Sequence, residues 1–149
     1  MTEQSAFSPD ELDQIVRAPR KIARATALVD DQGLIGVFQE LTAVAKVFID
    51  GAQHGHEFVR MVSNTADSEG GGDETDDSAA QEVADALALT RAAMAIVRAK
   101  ATEDEAHAYG AWLVDIATRV SEAAKNSDGE RVGHAERHFI EQVTEATRA

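Results

Sequence analysis

The stretch ATEDEAHAYGAWLVDIATRVSEAAK, residues 101–125, decides how the rest of this chain is read. Thr102 followed three residues later by Glu105 is a capping box. The Thr hydroxyl accepts from the N–H three residues on, and the Glu carboxylate reaches back to the Thr N–H. From there Ala106, Tyr109, Leu113, Ile116, Val120 and Ala123 recur in steps of three and four. That period belongs to a helix with one apolar seam, of the kind helices pack against one another. Trp112 adjoins the seam and is expected in the core or at its edge, because so large a ring is usually buried.

The same period recurs on either side. Upstream, residues 79–101 place Val83, Leu87, Met94 and Val97 on one face, with Ala86, Leu89 and Ile96 beside it. Downstream, a last helix over residues 133–147 carries Phe139, Ile140, Val143 and Ala146. Near the start Ser8 is a cap, Pro9 suits a first helical position, and Asp10 and Glu11 favour the positive end of the helix dipole. Leu12, Ile15 and Val16 form that helix's apolar face. Pro19 lacks an N–H and disfavours a helical Ala18, so it is expected to end or kink the helix. Ile22, Ala25, Thr26 and Val29 then read as a second short helix. A third runs over residues 34–52, with Leu34, Phe38, Leu41, Ala45 and Phe48 on one face and Val37, Val44 and Ile49 widening it. Such a stripe is broad enough for more than one neighbour. His54, Gly55, His56 and Glu57 read as its stop, and Phe58, Val59, Met61 and Val62 as a short apolar segment.

Few aromatics, abundant Ala and no sustained period-2 alternation argue against strands. The expected fold is therefore all-α, an antiparallel bundle of five to six helices. Residues 63–78, SNTADSEGGGDETDDS, hold three consecutive glycines and six acids and cannot bury apolar surface, so they read as a flexible acidic linker. They separate an N-terminal half, residues 8–62, from a C-terminal half, residues 79–149. Each half is too small for a convincing core alone, and the two are expected to pack as one domain across the 149 residues.

With no cysteine, disulfides and thiolate-ligated zinc or iron–sulfur sites are excluded. A net charge of -13, from 27 acidic and 14 basic residues, repels phosphate backbones and anionic membranes, so neither nucleic acid nor membrane is an expected partner. No apolar run approaches the roughly 20 residues of a membrane span. The opening MTEQSAFSPDEL lacks the basic start and apolar core of a secretion signal. A cytoplasmic protein is expected.

Residues 125–136, KNSDGERVGHAE, align without gaps on residues 29–40, VDDQGLIGVFQE: Asp30 on Asn126, Gly33 on Gly129, Glu40 on Glu136. Apolar helical positions flank both, so the halves read as two pseudo-repeated helix–turn–helix units. An EF-hand loop requires oxygen ligands at its first, third and fifth positions, Gly at the sixth and a bidentate Glu at the twelfth. With Gly129 at the sixth, Ala124 takes the first and Ala135 the twelfth; with Gly33 there, Leu28 and Gln39 do. Neither loop fits, and a polar turn followed by a helix with Glu136 in its first turn is the simpler reading. A divalent-metal site at Asp128, Glu136, Asp30 and Glu40 is the alternative.

His134 and His138 stand four apart on one helix face, a spacing able to chelate zinc or nickel, with His54 and His56 as further ligands from the other half. Surface histidines are the simpler reading, since "HAERH" is not the H-E-x-x-H of a zinc protease. Glu82 and Asp85 form one Glu-x-x-Asp pair of the type di-metal bundles repeat, without a second pair on an inward face. No phosphate-binding loop or nucleophile elbow is present.

Residues 123–140, AAKNSDGERVGHAERHFI, resemble the signature of the tellurite-resistance TerB-like helical domains, with Asp128, Gly129, Val132, Glu136 and Ile140 in the matching places. One residue more separates the Asp–Gly pair from the rest, and Gly133 stands where a small polar cap is usual. The resemblance implies an all-α bundle whose Asp128 and Glu136 hold a divalent metal in a stress or chemical-resistance setting. The segment at 101–125 also resembles uncharacterised bacterial helical proteins. The function expected is an interaction or oligomerisation module without catalytic activity, meeting a protein partner or its own copy through apolar helix faces. A metal-binding TerB-like protein and a helical di-metal hydrolase are the alternatives. No cofactor is expected beyond that divalent ion.

Overall fold

Ser8 opens the first long helix by a capping box of its own. Its hydroxyl accepts from the Glu11 N–H at 3.2 Å, and its N–H donates to the Glu11 carboxylate at 2.8 Å. Helix α1 (Pro9–Val29) follows, preceded by a short 3₁₀ turn at Gln4–Ala6. A computed structural model describes residues 2–29, 46, 50–51, 53–69, 79–125 and 134–148 of the chain. After α1 come α2 (Glu57–Glu69), α3 (Ala79–Lys100), α4 (Glu103–Lys125) and α5 (His134–Arg148). These five helices pack into a bundle, and no strand occurs among the described residues. The third helix expected over residues 34–52 lies outside the described residues except for Lys46, Asp50 and Gly51, which are helical. The paired loops of the proposed repeat also lie outside them.

α1 lies most extensively against α3 and also touches α4, while α5 packs on α4 and α3. Residues from both halves therefore share one apolar core, including Ile15, Ile22, Phe58, Val97, Leu113, Ile116, Phe139 and Val143. The seam read on α4 is inside it from Ala106 to Val120, as is Trp112. A chain of rings joins the N-terminal segment to α4. Phe7 stands 6.2 Å from Phe58, Phe58 meets Tyr109 edge-on at 6.1 Å, and Tyr109 lies 6.4 Å from Trp112. Edge-to-face geometry places the positive rim of one ring on the negative face of the next.

Pro19 does not end the first helix. α1 runs through it as one element of 21 residues, and the expected second short helix is its continuation. An interior proline costs roughly 3 kcal/mol, partly because the carbonyl four residues back loses its N–H. That carbonyl belongs to Ile15, and the hydroxyl of the fully buried Tyr109 donates to it at 2.7 Å. Burial of Ile15, Val16, Ala18, Pro19, Ile22 and Ala23 on both sides of the break supplies the rest of the offset.

The first residues of the stretch read as a linker are helical. Ser63 is buried and residues 63–69 continue α2. Thr65 donates to the Met61 carbonyl at 2.8 Å, so its hydroxyl is satisfied within the helix rather than by a turn. The apolar run at 58–62 anchors the helix, and its polar last turns follow. Residues 70–78 lie outside the described residues.

The box at Thr102 is present. The Thr102 hydroxyl accepts from the Glu105 N–H at 3.2 Å, and Glu105 accepts from the Thr102 N–H at 3.0 Å. Glu105 is buried and takes a further bond from the Thr2 N–H at 2.6 Å, tying the N-terminal segment to α4. Burial works against ionisation of Glu105, but the bonds from Thr2 and Thr102 outweigh it and hold the carboxyl below its ordinary value. Lys100, then Ser8, hold Glu11 below its ordinary value too. A carboxyl held low contributes stability above its unfolded value of 4.5, and that contribution is lost as pH falls through the folded value. The melting midpoint is therefore expected to fall on acidification below about pH 4.5, and Glu105→Gln, which still accepts a bond, to flatten that fall.

Candidate functional site

The residues singled out as metal ligands are distributed as follows. Asp30, Glu40 and Asp128 lie outside the described residues. His134 opens α5, and His138 is exposed on the same helix. Glu136 sits in the first turn of α5 and keeps only 5% of its possible exposure, so it lies in the protein rather than in water. Among the described residues, no group of three or more His, Asp or Glu side chains is placed to hold a metal ion. His54 and His56 lie where the stop is read, between helical Gly51 and the start of α2. They form the turn that starts α2.

The Glu82 and Asp85 pair divides between two environments. Asp85 is half-buried and accepts from the Gln81 side-chain amide at 2.9 Å. Glu82 is completely buried, with Lys21 Nζ at 3.3 Å and Arg24 Nε at 3.8 Å, both reaching in from α1. A carboxylate out of water is tolerable only with such partners, since its desolvation costs several kcal/mol on the order of the attraction gained. Glu82 thereby ties the start of α3 to the second half of α1. The reading of Glu82 as one member of a Glu-x-x-Asp pair did not include these ion pairs, although Glu82, Ala86, Thr90, Ala93 and Val97 fall on one helical stripe and all are buried.

A groove of about 850 Å³ lies where the end of α3, the first half of α4 and the end of α5 converge. Met94, Ala106 and Gly110 form its floor, Ala111 and Val114 continue along α4, and Arg98, Glu103, Asp104, His107 and Arg148 stand around it. Gly110 lies between α3 and α5: a Cβ there would meet the Met94 methyl carbon and Thr147 Cβ, each at 3.4 Å, so a methyl group just fits and a larger side chain would extend into the groove or its walls. The Arg98 guanidinium donates to the Thr147 carbonyl and closes the last turn of α5. The volume is within the range of small-molecule and side-chain pockets, roughly 300–1,000 Å³. Sequence reading missed the groove because three separate helices build it; the small residues Ala106 and Gly110, one turn apart, were its only local sign.

The large apolar surface of the described helices is almost wholly used inside the bundle. Leu28, at 40% exposure, is the one large apolar residue left exposed among the described residues. No helix among those residues is long and apolar enough to cross a membrane. Compared with protein-family models, curated proteins and solved structures, the chain matches none. The likeness to TerB-like domains stands on residues 123–140 alone.

Proposed function

We propose that this chain is a cytoplasmic protein-interaction module without catalytic activity, which associates through helix faces with its own copy or with a protein partner. The observation that carries this reading is the groove between α3, α4 and α5. Its floor of Met94, Ala106 and Gly110 is apolar and low, and Arg98 and Arg148 flank it. Met and Arg are residue types enriched at protein interfaces, and small floor residues let another backbone or a large side chain come close. The wide apolar stripe written into residues 34–49 supports the same reading from sequence. The acidic balance disfavours nucleic acid and anionic lipid as the occupant.

Sedimentation velocity over a range of concentrations tests it. The species is expected to grow with concentration, and Ala111→Glu, a change at an exposed groove position, to weaken association by about tenfold without altering the melt. A strict monomer at every concentration speaks against self-association.

A second reading, a divalent-metal protein of TerB-like type, draws support from the burial of Glu136 in the first turn of α5. Asp128 and Glu136 are its ligands, joined by Asp30 and Glu40 if the two halves repeat. A ligand held only by the folded form raises the melting midpoint. Millimolar Ca²⁺, Mg²⁺, Mn²⁺ or Zn²⁺ is then expected to raise it by roughly 3 °C, an effect absent in Glu136→Gln. No shift with any of the four ions removes this reading.

A further inference from the structure

The turn that starts α2 is held by two imidazoles acting in series. The His56 N–H donates to His54 Nδ1 at 3.0 Å, and the Phe58 N–H donates to His56 Nδ1 at 3.3 Å. The second of these bonds is an N-cap, made by an imidazole where Ser, Thr, Asn or Asp is usual. Both Nδ1 atoms are acceptors, so both rings are neutral here and carry their proton on Nε2. The turn is braced from two directions. The Arg60 guanidinium donates to the His54 carbonyl, and the His54 N–H donates to the Gly51 carbonyl at 3.1 Å. Gly51 in turn lies on α4 and α2: a Cβ there would stand 3.0 Å from the Trp112 ring and 2.6 Å from Ser63 Oγ. Phe58, the residue whose N–H is capped, is fully buried in the ring chain.

We propose that His54 and His56 form a pH-operated latch, closed while each Nδ1 accepts its backbone bond and opened when His54 takes up a proton. Protonation puts a hydrogen on Nδ1, so an acceptor becomes a donor aimed at another donor, and the bond cannot survive. The new positive charge also lies at the N-terminal end of α2, where the helix dipole is positive and cations are unfavourable. What opens is the turn at residues 53–57 and the first turn of α2, together with the bond from the His54 N–H to Gly51, the residue that lies against Trp112. The core shared by α1, α3 and α4 does not depend on these bonds.

The charges around the turn favour the neutral state on balance. Burial of His54 is the main effect, followed by the neighbouring His56, and together they hold the His54 ring below its ordinary 6.5. Asp115 on α4 acts the other way, while Arg60 on α2 and Arg119 on α4 reinforce the depression. Arg119 is itself held between Asp50 at 2.9 Å and Asp115 at 2.9 Å, and Glu57 lies 3.9 Å from Arg60. For a histidine held low, the open form binds the proton first. The latch is therefore complete above the ordinary histidine value and weakens as pH falls through it toward the folded value.

Two measurements test this on the whole chain. Nitrogen-15 NMR of the imidazoles at about pH 8 reads the tautomer directly, and Nε2–H is expected for both rings. An Nδ1–H tautomer on either ring overturns the proposal. Amide hydrogen exchange, corrected for its intrinsic pH dependence, reads the opening. Protection of the Phe58 and His56 N–H groups is expected to fall about tenfold between about pH 8 and pH 5, the loss of about one cap, while Ala93 and Val97 keep theirs. Trp112, the one tryptophan of the chain, should report the same midpoint in its fluorescence. In the double variant His54→Asn and His56→Asp, both positions keep an acceptor that does not titrate near neutrality, and the response should vanish. Unchanged Phe58 protection across this range, or a response that persists in the double variant, overturns the latch.

Discussion

Replacing Lys21 with Met and Arg24 with Leu together is expected to destabilise the protein by about 3 kcal/mol, the lower end of what stranding a buried charge costs. Glu82 is wholly buried, and these two cations reach its carboxylate from α1. Taking them away removes two cations from a negative charge held out of water and also loosens the contact between α1 and α3, the most extensive among the described helices. The reverse change should be gentler. Lys21 and Arg24 keep 14% and 31% of their side-chain exposure, so in Glu82→Gln they can turn toward solvent, and a loss of about 1 kcal/mol is expected. Adding Glu82→Leu to the double variant should recover stability, because an apolar side chain in that space carries no desolvation penalty. Urea unfolding with an unchanged slope measures all three. Equal costs for removing the anion and the cations would contradict the asymmetry argued from their burial.

Tyr109→Phe is expected to cost about 2 kcal/mol, since it removes one hydroxyl and leaves the Ile15 carbonyl buried without that donor. The diagnostic measurement is the same substitution in a Pro19→Ala background. There residue 19 regains an N–H, which can close the ordinary helical bond to Ile15, and the hydroxyl becomes dispensable. The cost of Tyr109→Phe should drop by about 1 kcal/mol in that background, a coupling between residues that a double-mutant cycle isolates. An identical cost in both backgrounds means the hydroxyl acts in some other way. Burial pushes the Tyr109 hydroxyl well above its ordinary 10.0, so it stays a donor in the folded protein when the unfolded chain has begun to ionise. Stability from this group is whole below pH 10.0 and declines above it.

What could be read from the residues in order, and what could not, follows from how far each interaction reaches. The Thr102 box, the α4 seam and the extents of α3 and α5 depend on neighbours three or four residues away, and such spacings are written openly in the chain. Pro19 misled because its remedy, Tyr109, lies on another helix. Residues 63–69 misled because small polar residues finish a helix that Phe58, Val59 and Val62 hold in the core, and composition alone does not record that anchoring. The ion pairs of Glu82 cross between α3 and α1, so its depth was hidden while its stripe-mates were visible. Of the candidate ligands, Glu136 was read correctly as a first-turn residue of the last helix, though not as a buried one. Asp30, Glu40 and Asp128 lie outside the described residues.

The bond from Tyr109 to Ile15 also has a bearing on the order of assembly. It joins residues 94 positions apart, and until it forms the ladder of the first helix has a missing rung. A peptide of residues 9–29 by itself should fray on both sides of Pro19, because nucleation is costly and each fragment is short. Continuous helicity there is thus conferred late, on docking of a distant segment, and the search for that long-range encounter slows the collapse relative to bundles built from local hairpins.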